Sequence, residues 1–188
     1  HPVTETVTNI DLVEQMIDIA DNKKLKYKQD DIVVKGWSFE SRLCGESPIK
    51  NFLPSAGRIK ELSFPKENIR IDSGYQSGGE VSIYYDSLLA KIISKGKTRQ
   101  DAINVMQKAL QEVSIDGIDT NIDFLMDIFK NKNFINGDIN TNFIEEVYKG
   151  GYKAETSNQN ELEIITIFAF CYHISYLVSI NNNIENIS

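Results

Sequence analysis

The chain has 188 residues, 41% of them apolar, and a formal net charge of −7. That length and apolar content fit one packed domain, or one domain with an appendage. The acidic balance argues against a nucleic-acid partner, whose binding draws on Lys and Arg, and two histidines and two distant cysteines leave a zinc site almost nothing to build with.

Residues 11–20 place Leu12, Val13, Met16, Ile17 and Ala20 at a helical period, with Thr8, Asn9 and Asp11 as candidate N-caps. Residues 23–30 are polar and read as a loop. Residues 32–43 alternate and predict a strand. Side chains two apart in a strand share a face, so Ile32, Val34, Gly36, Ser38, Glu40 and Arg42 line up together. That row is expected to face the core, apolar at its start and ending in a carboxylate and a guanidinium. Charges in such a place are costly unless paired.

Residues 57–64, 69–72 and 81–85 read as further short strands, with turns such as Gly78-Gly79 between them. Residues 88–94 are ambiguous by pattern. Residues 98–113 form the clearest helix, with Ala102, Ile103, Val105, Met106, Ala109, Leu110 and Val113 on one face and Thr98 with Asp101 as a capping box. Gly96-Lys97-Thr98 has the ending of a phosphate-binding loop, but Lys91 stands where that loop needs a glycine. Residues 122–130 and 141–148 predict two more helices, and Gly150-Gly151 marks a break.

Residues 151–160 are a polar linker. Residues 161–180 turn apolar and aromatic, long enough for a membrane span of about 20 residues. Glu163, His173, Ser175 and Ser179 argue instead for a helix surrounded by partner protein. Residues 181–188 read as a polar, disordered tail. Cys44 and Cys171 are expected to be reduced thiols of an intracellular protein. The opening His1-Pro2 reads as the start of a piece cut from a longer chain.

Four motifs carry a family resemblance. Glu40-Ser41-Arg42-Leu43-Cys44-Gly45-Glu46-Ser47-Pro48 runs into Phe52-Leu53-Pro54-Ser55-Ala56-Gly57. His1-Pro2-Val3-Thr4-Glu5 opens the chain. Tyr84-Tyr85-Asp86-Ser87 precedes Lys91, and Asp116-Gly117 precedes Thr120-Asn121. In this order and spacing they resemble the C-terminal domain of biotin carboxylase, over about residues 1–150. The departures are small: Ser41, Cys44, Gly45 and Ser47 replace residues more usual in the pattern.

The resemblance implies an α+β fold of the rudiment single hybrid motif type, a small antiparallel sheet with packed helices, including a strand over 88–94. It implies that Arg42 contacts the ureido oxygen of biotin, where negative charge collects as biotin is carboxylated, and that Glu40 and Asp86 support that pocket. Read from the residues alone, Arg42 is the partner of Glu40 or Glu46 in a structural ion pair. The family's basic residue at a subunit interface falls at Arg70, with an ordinary surface arginine as the alternative. The implied cofactors are biotin on a carrier domain, with ATP, Mg and bicarbonate bound mainly by an upstream ATP-grasp region. By this reading the piece alone is inactive.

Residues 133–153 are similar to the α subunits of propionyl-CoA carboxylases. That likeness implies a carboxyltransferase β subunit as partner of the helix over 161–180, a homodimer contact, and a bacterial cytoplasmic or mitochondrial matrix location. Acetyl-CoA and methylcrotonyl-CoA carboxylases share the core domain. A non-catalytic dimerisation or docking module is the alternative.

Overall fold

A computed structural model describes residues 1–154 and 159–185. The chain divides into two units, His1–Lys153 and Ala154–Ser188.

The first unit opens with a helix that the sequence pattern does not announce. α1 (Pro2–Thr8) starts on proline, whose missing N–H is no loss in a first turn, and stops at Asn9 with a left-handed φ of 59°. α2 (Leu12–Ala20) is capped by Asp11, which accepts from the Glu14 N–H at 2.8 Å. Its apolar period is as expected, but its burial is inverted. Gln15 and Asp18 are buried, while Val13, Met16 and Ile17 are exposed.

Residues 32–36 do not form strand. Val33 and Val34 are exposed. Gly36 takes a φ of +77°, and a Cβ there would lie 2.5 Å from the Gly96 carbonyl oxygen. β1 (Trp37–Cys44) therefore begins after the glycine. Its facing is also the reverse of the expected one. Ser41 and Leu43 are buried, and Phe39 packs against the core. Ser38, Glu40 and Arg42 point to the opposite side of the strand.

β2 (Glu46–Ser47) and β3 (Leu53–Pro54) pair with each other. β4 (Gly57–Arg58) and β5 (Glu61–Ser63) replace the single strand expected over 57–64, because the chain changes partners at Ile59. β4 pairs with β7 (Glu80–Val81), and β5 with β9 (Ser114–Asp116). β7 ends at Val81, so Tyr84 and Tyr85 lie in the turn beyond it rather than in a strand, 88% and 81% exposed. β6 (Ile69–Ser73) and β8 (Leu88–Gly96) complete the main sheet, which is antiparallel in the order β1-β8-β6.

Directly opposed residues share a face. On one face Ser41, Ile92 and Ile71 form a row. α3 (Arg99–Glu112) packs there, with Leu43, Ile92, Ile103, Met106 and Leu110 fully buried. α3 starts on the expected capping box. The Asp101 N–H donates to Thr98 Oγ1 at 3.1 Å and the Thr98 N–H to Asp101 Oδ2 at 3.0 Å. On the other face Glu40, Ile93 and Arg70 form one row and Arg42, Lys91 and Asp72 the next. α1 lies against β1 and β8.

α4 (Ile122–Lys130), α5 (Lys132–Asn136) and α6 (Phe143–Val147) close the first unit. Phe124 gathers Phe52, Tyr148 and Tyr152, with ring centroids 5.0, 5.0 and 5.3 Å away. The second unit is α7 (Gln159–Glu185), which begins before and ends after the expected 161–180. Residues 181–185 of the expected tail are helical. Residues 155–158 of the expected linker and 186–188 of the tail lie outside the described residues. Side chains over 162–177 are exposed on every side of α7. Among the described residues no helix is long and apolar enough to cross a membrane.

Candidate functional site

β1 delivers Glu40 and Arg42 to one face two positions apart, because a strand repeats every second residue. Arg42 Nε donates to Glu40 Oε1 at 3.2 Å. The two partners differ sharply in exposure. The Glu40 side chain is 6% exposed and that of Arg42 is 60%. A buried carboxylate thus anchors an outward guanidinium, and among the described residues neither terminal guanidinium nitrogen has a hydrogen bond of its own.

The backbone that carries Arg42 is itself clamped. Asn121, at the start of α4 and 7% exposed, donates from Nδ2 to the Arg42 carbonyl at 3.0 Å. Its Oδ1 accepts from the Cys44 N–H at 2.9 Å, and its own N–H donates to the Cys44 carbonyl. The clamp spans the point where the β1-β8 register shifts, between Leu43 and Cys44. A bulge loses ladder bonds there, and one side-chain amide replaces them.

Cys44 lies just past Arg42, half-buried, and burial pushes its thiol up to about 11, with the Glu46 and Asp86 carboxylates adding to the rise. A hydrogen bond with Ser87 and the charge of Arg42 oppose it. Cys44 therefore stays a neutral thiol near pH 7. Ser87 Oγ also donates to Glu46 Oε1, which joins the turn after Tyr85 to β2.

Of the residues singled out in the sequence, the structure brings Arg42 and Glu40 together. Asp86 is exposed, and its Oδ1 accepts from the Leu88 N–H at 2.8 Å. It makes no hydrogen bond or ion pair with Arg42 among the described residues. Glu46 bonds Ser87 rather than Arg42. Arg70 is fully engaged, bidentate on Asp72 at 2.9 Å and on Glu5 at 2.7 Å through Nη1. That pairing holds the Glu5 carboxyl below its ordinary range. Arg70 and Glu5 line an open groove of about 930 Å³ with Lys35, Lys95 and Lys97, and Arg42 is not part of its wall.

Sequence reasoning missed the Asn121 clamp and the contact of His1 Nε2 with Glu40 Oε2 at 3.5 Å. The Thr120-Asn121 motif marked the first as notable. Nothing in the spacing could tie residue 121 to residue 42.

Residues 40–146 match the model of the biotin carboxylase C-terminal domain. The chain is 39% identical to the mitochondrial propionyl-CoA carboxylase alpha chain of Caenorhabditis elegans over 184 residues, 96% of this chain and 25% of that protein. It is 43% identical to Biotin carboxylase 1 of Bacillus subtilis (strain 168) over 146 residues, 77% of this chain and 32% of that one. Among solved structures it resembles the biotin carboxylase domain dimer of the Hydrogenobacter thermophilus 2-oxoglutarate carboxylase, in complex with MgADP, ADP and bicarbonate. There the TM-score is 0.76 and the identity 39%, over 78% of this chain and 32% of that one. The chain thus spans about a quarter to a third of the length of these relatives. By family, it is a biotin carboxylase C-terminal domain.

Proposed function

We propose that this chain is the C-terminal part of the biotin carboxylase component of a biotin-dependent acyl-CoA carboxylase, with propionyl-CoA as the acyl substrate of the parent enzyme. The observation that carries the reading is Arg42, a guanidinium held at Nε by a buried carboxylate, with both terminal nitrogens unengaged among the described residues. Such a group suits an oxygen on which negative charge develops during reaction, because its planar fork is fixed before the charge appears. The reaction joins carbon dioxide to a ureido nitrogen of biotin, and charge gathers on the ureido oxygen. Arg42 supplies the cation there, Glu40 orients it, and Asp86 borders the same pocket from the turn before β8. Cys44, kept neutral, does not compete for the Arg42 charge.

Among the described residues no group of three His, Cys, Asp or Glu side chains could hold a metal ion. On the family resemblance, ATP, Mg and bicarbonate are assigned to an upstream ATP-grasp region of the parent subunit, and the 188-residue chain is expected to be inactive alone. The partners are that region, the biotin carrier domain, a carboxyltransferase β subunit at α7, and a second copy, since the Hydrogenobacter domain is a dimer. The length of the match to a propionyl-CoA carboxylase alpha chain supports the acyl substrate.

The test is a chimaera in which this chain follows the upstream part of Bacillus subtilis Biotin carboxylase 1. ATP-dependent carboxylation of free biotin is measured with Arg42→Gln. Turnover should fall by about 10²–10³, the usual cost of one preorganised donor, with nucleotide affinity unchanged. Undiminished carboxylation would refute the role. The 188-residue chain assayed alone should give no turnover.

A further inference from the structure

Glu40 lies on the polar face of the sheet, yet its side chain is 6% exposed. One carboxylate oxygen, Oε1, is committed to Arg42. The other, Oε2, is buried and accepts no hydrogen bond among the described residues. A buried oxygen without a donor is costly, so the group that faces it matters. That group is the His1 imidazole, with Nε2 3.5 Å away.

The tautomer of His1 follows from its other nitrogen. Nδ1 accepts from the Val3 backbone N–H at 3.3 Å, where the ring caps the start of α1. A nitrogen that accepts carries no proton, so in the neutral ring the proton sits on Nε2, the atom turned toward Glu40. The imidazole is thereby fixed at one end by α1 and presents a donor at the other.

We propose that His1 is a positioning residue for Arg42. It restrains Glu40 through Oε2, and Glu40 restrains Arg42 through Oε1, so the terminal guanidinium nitrogens keep one outward direction. Oε1 is then fixed by its hydrogen bond, and the Nε2 donor 3.5 Å from Oε2 favours one orientation of the carboxylate plane. With Oε2 released the plane can turn, and Oε1 leaves Nε. Arg42 is exposed and long, and nothing else among the described residues bonds its side chain. Its direction therefore depends on this one contact. His1 touches no reacting atom. The relay rests on the Arg42 reading above and extends it by one residue.

The relay is tested first on the 188-residue chain, by nitrogen-15 NMR of the arginine Nε–H groups. The chain has four arginines, Arg42, Arg58, Arg70 and Arg99, so assignment is simple. Hydrogen exchange at Arg42 Nε–H should be about threefold or more faster in His1→Ala, and faster still in Glu40→Gln. His1→Gln places an amide donor near the Nε2 position and should restore the slow rate. His1→Ala with Glu40→Gln should exchange no faster than Glu40→Gln alone, since both act on one pathway. Arg70 is tied to Glu5 on α1, so an unchanged Arg70 signal shows that α1 is still in place. An unchanged Arg42 rate in His1→Ala, no rescue by His1→Gln, or additive effects would each overturn the relay.

In the chimaera, His1→Ala should lower kcat with the KM for ATP unchanged, and His1→Gln should recover it. Loss of turnover in Arg42→Gln with none in His1→Ala would overturn the relay and leave the Arg42 reading standing. Full turnover in Arg42→Gln would sink that reading, and the exchange rates would then decide the relay alone.

Discussion

On one side of β8, Ile92 is buried against Leu43 and Met106. On the other, its neighbour Ile93 is flanked across the sheet by Glu40 and Arg70. The same three strands thus present an apolar face to α3 and a charged face toward α1. The charged face is organised, with Glu40 holding Arg42, and Arg70 held by Glu5 and Asp72. The division separates what keeps the chain folded from what the chain can do. A site built on a sheet whose other face is packed gains rigid backbone without drawing on its own side chains for stability.

The strongest way to break this comparison is to truncate neighbours on opposite faces of β1. Leu43 is fully buried. Leu43→Ala should cost about 2–5 kcal/mol in urea unfolding, from lost burial and the cavity left behind. Arg42→Gln, one residue away, should cost less, about 1 kcal/mol, because the exposed side chain buries little itself and the loss is that of the donor to the buried Glu40 oxygen. Equal losses would mean that the two faces are not separate in energy. Asn121→Ala comes next. It strips the Arg42 carbonyl and the Cys44 N–H of their side-chain partner. It should cost about 1–3 kcal/mol and also lower carboxylation in the chimaera, because Asn121 fixes the strand that aims Arg42. Lost stability with full turnover would show that the clamp does not serve the site.

How much of this was legible depended on distance along the chain. α3 was readable because its cap and its apolar face lie within one helix. β8 was ambiguous because it is the central strand. Leu89, Ala90, Ile92 and Ile93 are all buried, and a strand covered on both faces loses its alternation. β1 was found with its faces exchanged. Ile32 and Val34 extended the even-numbered row, but Gly36 ends the strand before them, and Phe39 and Leu43 carry the core. α2 shows the limit of periodicity, which locates an apolar stripe without saying what covers it. Val13, Met16 and Ile17 form the stripe, and within this chain it is exposed. Arg42 and Glu40 were legible as neighbours on one strand. Asn121 and His1 reach them across 79 and 39 positions of sequence, which no local pattern encodes.

The smallest effect sharpens the charged face alone. Glu5 on α1 accepts from Arg70 on β6 at 2.7 Å and from the Leu12 N–H at 3.1 Å. The hydrogen bond from Arg70 is the main cause that holds its carboxyl below the ordinary value, which for glutamate is about 4.3. A lowered folded value means the unfolded chain binds the proton more readily, so stability rises with pH across that window. The contribution is complete above the ordinary value and is lost as pH falls through the folded one. Arg70→Gln should therefore cost below about 1 kcal/mol at pH 7, since the pair is partly exposed and screened. The gap between wild type and variant should close as the pH of a urea titration falls below about 4. A gap that stayed constant between neutral and acid pH would show that Arg70 steadies α1 by packing rather than by charge. The two faces of the sheet would then differ less in kind than in composition.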